Sequence, residues 1–288
     1  MLPRAMRTRW LALMGLAGCA DPLPSPSTVD SLRILALTTA TPEVRPGVGL
    51  GVTAVWFDPV AGRSVRWRWR MCDPGAADDP RACARATGST ELASGETDRV
   101  ELPATALALR GSETAHSWVV YAIACPGAEA EIDPREGRLM CPGGAGSEAF
   151  RRVTVRASAP LNRPPPIAAW TLEQPGRSIA LDDGAVVSAG PLATCDGDCP
   201  TLSLALTPAS GAAEAFDGGS ESLMASVYVS SGSVAPPRLV TDPGVVAPMV
   251  FRWTPGRVVA GGEVARVWAV LRDQRGGESA RAVTITAP

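Results

Sequence analysis

Val65-Arg66-Trp67-Arg68-Trp69-Arg70-Met71 decides the fold of this chain. Apolar and charged residues alternate with a period of two, the repeat of a β-strand with one dry and one wet face, and a helix of 3.6 residues per turn would mix the two sets. Two tryptophans, a valine and a methionine in the dry row need a facing layer to bury them, so the strand implies a sheet packed on a second sheet. The wet row is an arginine ladder, Arg66, Arg68 and Arg70. Guanidinium forks suit phosphate and carboxylate, which makes this row a candidate surface for an anionic ligand; the same alternation also serves as the plain solvated face of a sheet.

Outward from this strand, short apolar or alternating segments bounded by Gly, Pro and Asp recur at 31–39, 48–57, 99–102, 117–125 and 151–157. Their number and spacing predict a β-sandwich over residues 30–158, with the doubly apolar 117–125 as a central strand. Pro160 and Pro164-Pro165-Pro166 mark a linker at 159–166. Beyond it, segments 167–172, 202–207, 222–230, 249–253, 266–272 and 280–286 predict a second sandwich over 167–288, closed by a hairpin at Asp273-Gln274-Arg275-Gly276-Gly277. The fold class is therefore all-β, two antiparallel β-sandwiches in tandem.

Trp67 or Trp69 on a third strand, and Tyr121 shortly before Cys125 on a sixth, resemble the core of the immunoglobulin-type (Ig-like) sandwich. Val267 to Asp273, the following Gly-Gly and the terminal alternating strand are similar to the close of PKD-type modules; about forty residues carry this likeness.

At the other end, Arg4, Arg7 and Arg9 precede an apolar stretch from Trp10 to Ala17 that is too short to span a bilayer and reads as a signal peptide over residues 1–18. Leu16-Ala17-Gly18-Cys19 resembles the bacterial lipobox. That resemblance implies acylation of Cys19 and a membrane partner reached through the lipid. With Ala20 and not Asp21 directly after the cysteine, it also implies an outer-membrane address in the cell envelope. Pro22, Pro24 and Pro26 predict an extended tether over residues 19–29, about 25 to 30 Å long. The whole layout is similar to surface lipoproteins of GC-rich gliding or predatory bacteria.

Composition narrows the chemistry. All 27 basic residues are arginine, so Schiff-base, P-loop and Ser-x-x-Lys chemistry, each of which needs a lysine amine, is excluded. Loss of three arginines with the signal leaves 24 basic against 29 acidic residues, which argues against a nucleic-acid partner. His116 is the only histidine, so a histidine metal cluster is excluded and any Ser-His-Asp triad must use it. Ser117 follows it directly, and strand alternation sends the two side chains to opposite faces. No G-x-S-x-G elbow accompanies them.

Six cysteines remain after Cys19, an even number that predicts three disulfides in an exported chain. Sequence proximity favours Cys72 with Cys83, Cys125 with Cys141 and Cys195 with Cys199; the rival scheme links Cys72 to Cys125 and Cys83 to Cys141. Asp196 and Asp198 between the last pair, with Asp182 and Asp183 nearby, offer oxygens to calcium but too few for its usual six to eight, and a turn closed by a short disulfide explains them without metal.

The expected function is that of a membrane-anchored, non-enzymatic envelope lipoprotein that binds, scaffolds or holds structure, with an envelope protein or glycan as partner and no cofactor. Two alternatives are a glycan- or lipopolysaccharide-binding, adhesin-like module using Arg66, Arg68 and Arg70, and a polysaccharide hydrolase using two carboxylates.

Overall fold

A computed structural model describes residues 26–74, 80–85, 87–158, 160–192, 199–216, 218–257 and 262–288. The stretch 1–18 read as a signal peptide, Cys19, Cys195, Asp196 and Asp198 lie outside the described residues. Strands dominate, joined by turns and short 3-10 segments. None of the helices among the described residues is long and apolar enough to cross a membrane.

The first half contains β1 (Arg33–Thr39), β2 (Glu43–Val44), β3 (Leu50–Phe57), β4 (Val65–Cys72), β5 (Ser89–Gly95), β6 (Arg99–Leu102), β7 (Ala115–Pro126), β8 (Glu131–Ile132), β9 (Leu139–Met140) and β10 (Ser147–Arg156). A sheet in the order β1-β3-β6 faces one in the order β2-β10-β7-β4-β5. The dry row of β4 does what its pattern demands: Trp67 and Trp69 are buried between the sheets with Leu37, Val52, Val100, Leu102, Val120 and Val153. Burial of each such side chain stabilises the fold by about 1.5–3 kcal/mol.

The second half contains β11 (Ile167–Gln174), β12 (Arg177–Ala180), β13 (Val186–Ser188), β14 (Leu202–Pro208), β15 (Ala215–Phe216), β16 (Gly219–Ser220), β17 (Met224–Val229), β18 (Ser233–Ala235), β19 (Arg238–Val240), β20 (Met249–Thr254), β21 (Glu263–Arg272) and β22 (Glu278–Thr286). Its sheets run β12-β11-β14-β20-β18 and β13-β22-β21-β17-β19. They enclose Trp170, Leu204, Leu206, Phe251, Trp253, Val227, Leu271 and Ile285. The halves repeat one device: a short early strand, β2 or β13, pairs in parallel with the last strand of its own domain. The hairpin at Asp273–Gly277 closes where Arg272 pairs with Glu278.

One part of the sequence reading is corrected. The tether does not run free to residue 29. Ser27 and Val29 are buried, and the backbone of Ser27 to Val29 bonds to both sides of Val229 in the second domain. The Ser27 Oγ adds a bond from the Val234 amide at 3.0 Å, and Thr28 Oγ1 donates to the Gly232 carbonyl at 2.7 Å. Proline spacing indicates extended backbone, and here that extended backbone docks along a strand end. Within the linker, Asn162 is fully buried.

The domains stack face to face. Val29, Leu35 and Trp268 form an apolar layer with Val55, Phe57, Tyr228 and Ala282. Phe57 and Trp268 rings lie 4.9 Å apart, a separation at which aromatic pairs attract beyond their buried area.

Candidate functional site

On the outer face of the first domain, the arginine ladder is not an open basic strip. Arg66 lies 3.2 Å from Glu96, Arg68 donates to Glu91 at 2.9 Å, and Arg70 stands 3.7 Å from the same carboxylate. Arg70 is buried, contrary to the wet-row expectation, and its Nε and Nη2 donate to Ser89 Oγ and O. The cause is a second apolar layer laid over this face. Disulfides Cys72–Cys83 and Cys125–Cys141 pin two excursions of chain onto the sheet, so that Ala84, Ala130 and Leu139 cover Tyr121 and Ile123. The proximity pairing of these four cysteines is thus the one adopted. Cys199 is disulfide-bonded too, its partner lying outside the described residues.

Beneath that layer, Tyr121 donates to Glu148 at 3.2 Å, and burial together with this carboxylate pushes the phenol above its ordinary pKa. At its rim the layer leaves a pocket of about 610 Å³ lined by Arg81, Arg85, Arg138, Glu136, Glu148 and Phe150. The backbones of Arg85 and Arg138 form an antiparallel bridge, which sets their side chains next to each other.

The larger cleft, about 700 Å³, lies where the two domains meet. Its floor is a lattice of charges that no local sequence pattern announces. Glu43, on β2, is almost fully buried; it accepts from Arg275 Nη2 at 2.8 Å and from the Asn162 amide at 2.8 Å, with Arg156 at 3.5 Å. Asn162 also donates to Asp273 at 3.1 Å. Deeper in the contact, Arg151 pairs with Glu278 at 3.1 Å and donates to the Leu37 carbonyl and Thr39. Burial lowers the Arg151 pKa, opposed by Glu278. Arg272 bridges from Glu278 to the Leu35 carbonyl. Glu221 is fully buried 3.7 Å from Arg275, and burial raises its pKa against the pull of the Glu214 amide. These bonds tie hairpin, linker and first domain into one body.

His116 enters this cleft from the end of β7. Its Nδ1 is 3.3 Å from Glu113 and its Nε2 is 3.4 Å from Asp73; Nε2 is buried and makes no hydrogen bond among the described residues. Arg156 Nε is likewise buried without a hydrogen-bond partner among the described residues. Ser117 pairs with Thr154 on the neighbouring strand, and their hydroxyls bond to each other at 3.2 Å. Ser117 is therefore turned to Thr154, and His116 to the face shared with Val155. Phe216 stands at the lip with Arg275 over its ring at 5.9 Å. Among the described residues no group of acidic, histidine and cysteine side chains is arranged to hold a metal ion, and Asp183 is engaged by the Ala282 amide.

Sequence reasoning missed Glu43, Arg156 and Arg275. One signal was present for Arg151: it occupies the dry register of Arg151-x-Val153-x-Val155, where a charge must find a buried partner.

No family model matches the chain, and no curated protein does. Among solved structures it is similar to trypsin-activated alpha-2-macroglobulin of Escherichia coli at 12% identity and TM-score 0.25, over 89% of this chain and 18% of that one. The elastase-activated form gives 14%, 0.26, 91% and 22%. The adhesin InvE of Yersinia pseudotuberculosis gives 13% identity and TM-score 0.21, over 87% of this chain and 58% of that one. The chain spans about a fifth of the length of the macroglobulins.

Proposed function

We propose that this chain is a membrane-anchored, non-enzymatic envelope lipoprotein that binds a polar, oxygen-rich ligand, a glycan, in the cleft between its two sandwiches. The observation that carries the reading is the buried Arg156 Nε in the wall of the cleft, a donor without a hydrogen-bond partner among the described residues. A buried donor without an acceptor is costly, and ligand oxygens would relieve that cost. The Ser117 and Thr154 hydroxyls and the Phe216 ring add the polar and stacking groups that suit a sugar. Because the domains are locked together, little ordering is required on binding. The Ser117 hydroxyl, engaged by Thr154 and turned from His116, supports binding in place of nucleophilic chemistry.

Two measurements on the full chain test this. Cys19→Ser should abolish incorporation of a palmitate analogue in growing cells and release the protein from membranes; label persisting elsewhere in the chain would overturn the anchor. Arg156→Ala should weaken retention on immobilised polysaccharides by about tenfold, the loss expected for one hydrogen bond to a polar group. Failure of the wild-type chain to bind any neutral or acidic polysaccharide would overturn the binding role, as would unchanged binding by Arg156→Ala.

A further inference from the structure

We infer that the end of the molecule from which the tether leaves is a lipid-contacting surface, with the loop tip Pro59-Val60-Ala61-Gly62 seated in the bilayer interface and the interdomain cleft held at the opposite end. This inference rests on the acylated Cys19 of the proposed function and adds a second membrane contact and a fixed orientation. Eight peptide steps separate Cys19 from Ser27. Even fully extended, a chain of that length covers at most about 29 Å. From Ser27 onward there is no slack, because Ser27 to Val29 are bonded to Val229 at the end of β17. Val229 pairs with Val267 of β21, and Arg33, at the start of β1, pairs with Phe57 at the end of β3. Arg33 also donates to the Pro26 carbonyl at 2.9 Å and lies over the Tyr228 ring at 5.3 Å. The loop that follows Phe57 is therefore beside the tether, and it shares a pocket with Glu263 and Arg266 of β21. The cleft is at the other end of the same strands. β10 runs from Ser147, whose hydroxyl accepts from the Ile34 amide at 2.8 Å, to Arg156 in the cleft wall. At about 3.3 Å per residue this strand puts about 30 Å between tether and cleft.

The loop between β3 and β4 is built to present apolar surface there. Across its base Arg63 donates to Asp58 through Nε and Nη2, both at 2.6 Å, and Asp58 also accepts from the Val60 amide at 2.9 Å. Burial works to raise the Asp58 pKa, but the bonds from Arg63 and the Val60 amide outweigh it and hold the carboxyl below its ordinary range. The ion pair is thus kept, carries no net charge, and leaves only 5% of the Asp58 side chain exposed. Beyond it Pro59, Val60, Ala61 and Gly62 are all exposed and carry no polar side-chain group. Val60 is among the exposed large apolar residues of the molecule, at 51%. An apolar tip on a self-neutralised base enters the lipid interface without taking an unpaired charge out of water, and its apolar area leaves water as it does so. Such a contact adds to the hold of acyl chains on the same membrane, which lie within reach of the tether.

The experiment uses the full acylated chain reconstituted in vesicles of phosphatidylethanolamine and phosphatidylglycerol in equal parts, with and without a headgroup nitroxide that quenches fluorescence at short range. A dye is attached through Ala61→Cys in one preparation and through Gln274→Cys, at the exposed tip of the cleft-side hairpin, in another. The label at position 61 should lose most of its emission and the label at 274 almost none. Val60→Asp places a charge at an exposed position, so it should leave the melting temperature unchanged, keep the chain on the vesicles, and restore emission at 61 to the level at 274. Equal quenching of the two labels would mean that the body lies flat, and no quenching of either would leave the loop free for a protein partner. Either result, or quenching at 61 that Val60→Asp does not relieve, would overturn the lipid seat while the Cys19 anchor stands. Flotation tests the anchor separately: a wild-type chain that floats with the vesicles no better than Cys19→Ser would overturn the anchor and this inference with it.

Discussion

Replacing Glu43 with alanine is expected to lower the unfolding free energy of the full chain by about 3–5 kcal/mol, the range for removing one member of a buried ion pair. This carboxylate sits on β2, a strand of two residues, yet it accepts from the second domain's hairpin through Arg275 and from the linker through the Asn162 amide. Without it, the Arg275 guanidinium, with a side chain only 16% exposed, keeps as acidic partners among the described residues Glu214 and Glu221 at 3.7 Å. The Asn162 amide loses its acceptor in a buried position. Arg156, more than a third exposed, recovers water and contributes least to the loss. Glu43→Gln keeps an acceptor for the amide and should lose less. Urea unfolding followed by tryptophan fluorescence reads the effect from both domains, since Trp67 and Trp69 are buried in one and Trp170 and Trp253 in the other. We expect a lower midpoint and a lower apparent m value as the domains begin to unfold separately. The same midpoint and slope as the wild-type chain would mean that the lattice does not couple the domains.

How much of this was legible beforehand follows from which forces act locally. The alternation in β4, the run in β7 and the hairpin between β21 and β22 are local patterns, and Arg99–Leu102 appears as read. The pairing of Cys72 with Cys83 and of Cys125 with Cys141 also followed sequence proximity. By contrast β5, Ser-Thr-Glu-Leu-Ala-Ser-Gly, carries no clear alternation; it is an edge strand recruited by the free backbone of β4. Its Glu91 and Ser89 then hold the arginines that the sequence assigned to solvent or ligand. The site was hidden for a further reason. Glu43 and Arg275 are 232 residues apart, and their meeting depends on how two whole sandwiches stack, which the periodicity of single strands does not encode. The proline-rich entry misled for the opposite reason: proline reports backbone shape, and shape alone does not say whether a segment is solvated or docked.

Trp69→Ala should cost about 3–5 kcal/mol, the range for emptying a core site of an aromatic side chain. Its ring is fully buried, stacks on Trp67 with centroids 5.7 Å apart, and through Trp67 joins Trp56 in an edge contact at 5.6 Å. Its Nε1 donates to the Thr97 carbonyl at 3.0 Å, so the substitution removes packing and a bond that fixes the loop before β6. Phenylalanine keeps part of the packing and none of the bond, and should fall between. The decisive control is Arg66→Ser, three residues earlier on the same strand but in the other row, where a 38% exposed guanidinium meets a 68% exposed carboxylate. Exposed pairs of this kind contribute little, so that variant should stay within about 0.5 kcal/mol of the wild-type chain. Both variants leave the strand's backbone pairing to β5 and β7 untouched, so the difference between them isolates burial. Chemical denaturation of the full chain measures it. Equal costs for Trp69→Ala and Arg66→Ser would mean that the alternation in Val65–Met71 does not separate a dry face from a wet one, and the sandwich built on it would have no basis.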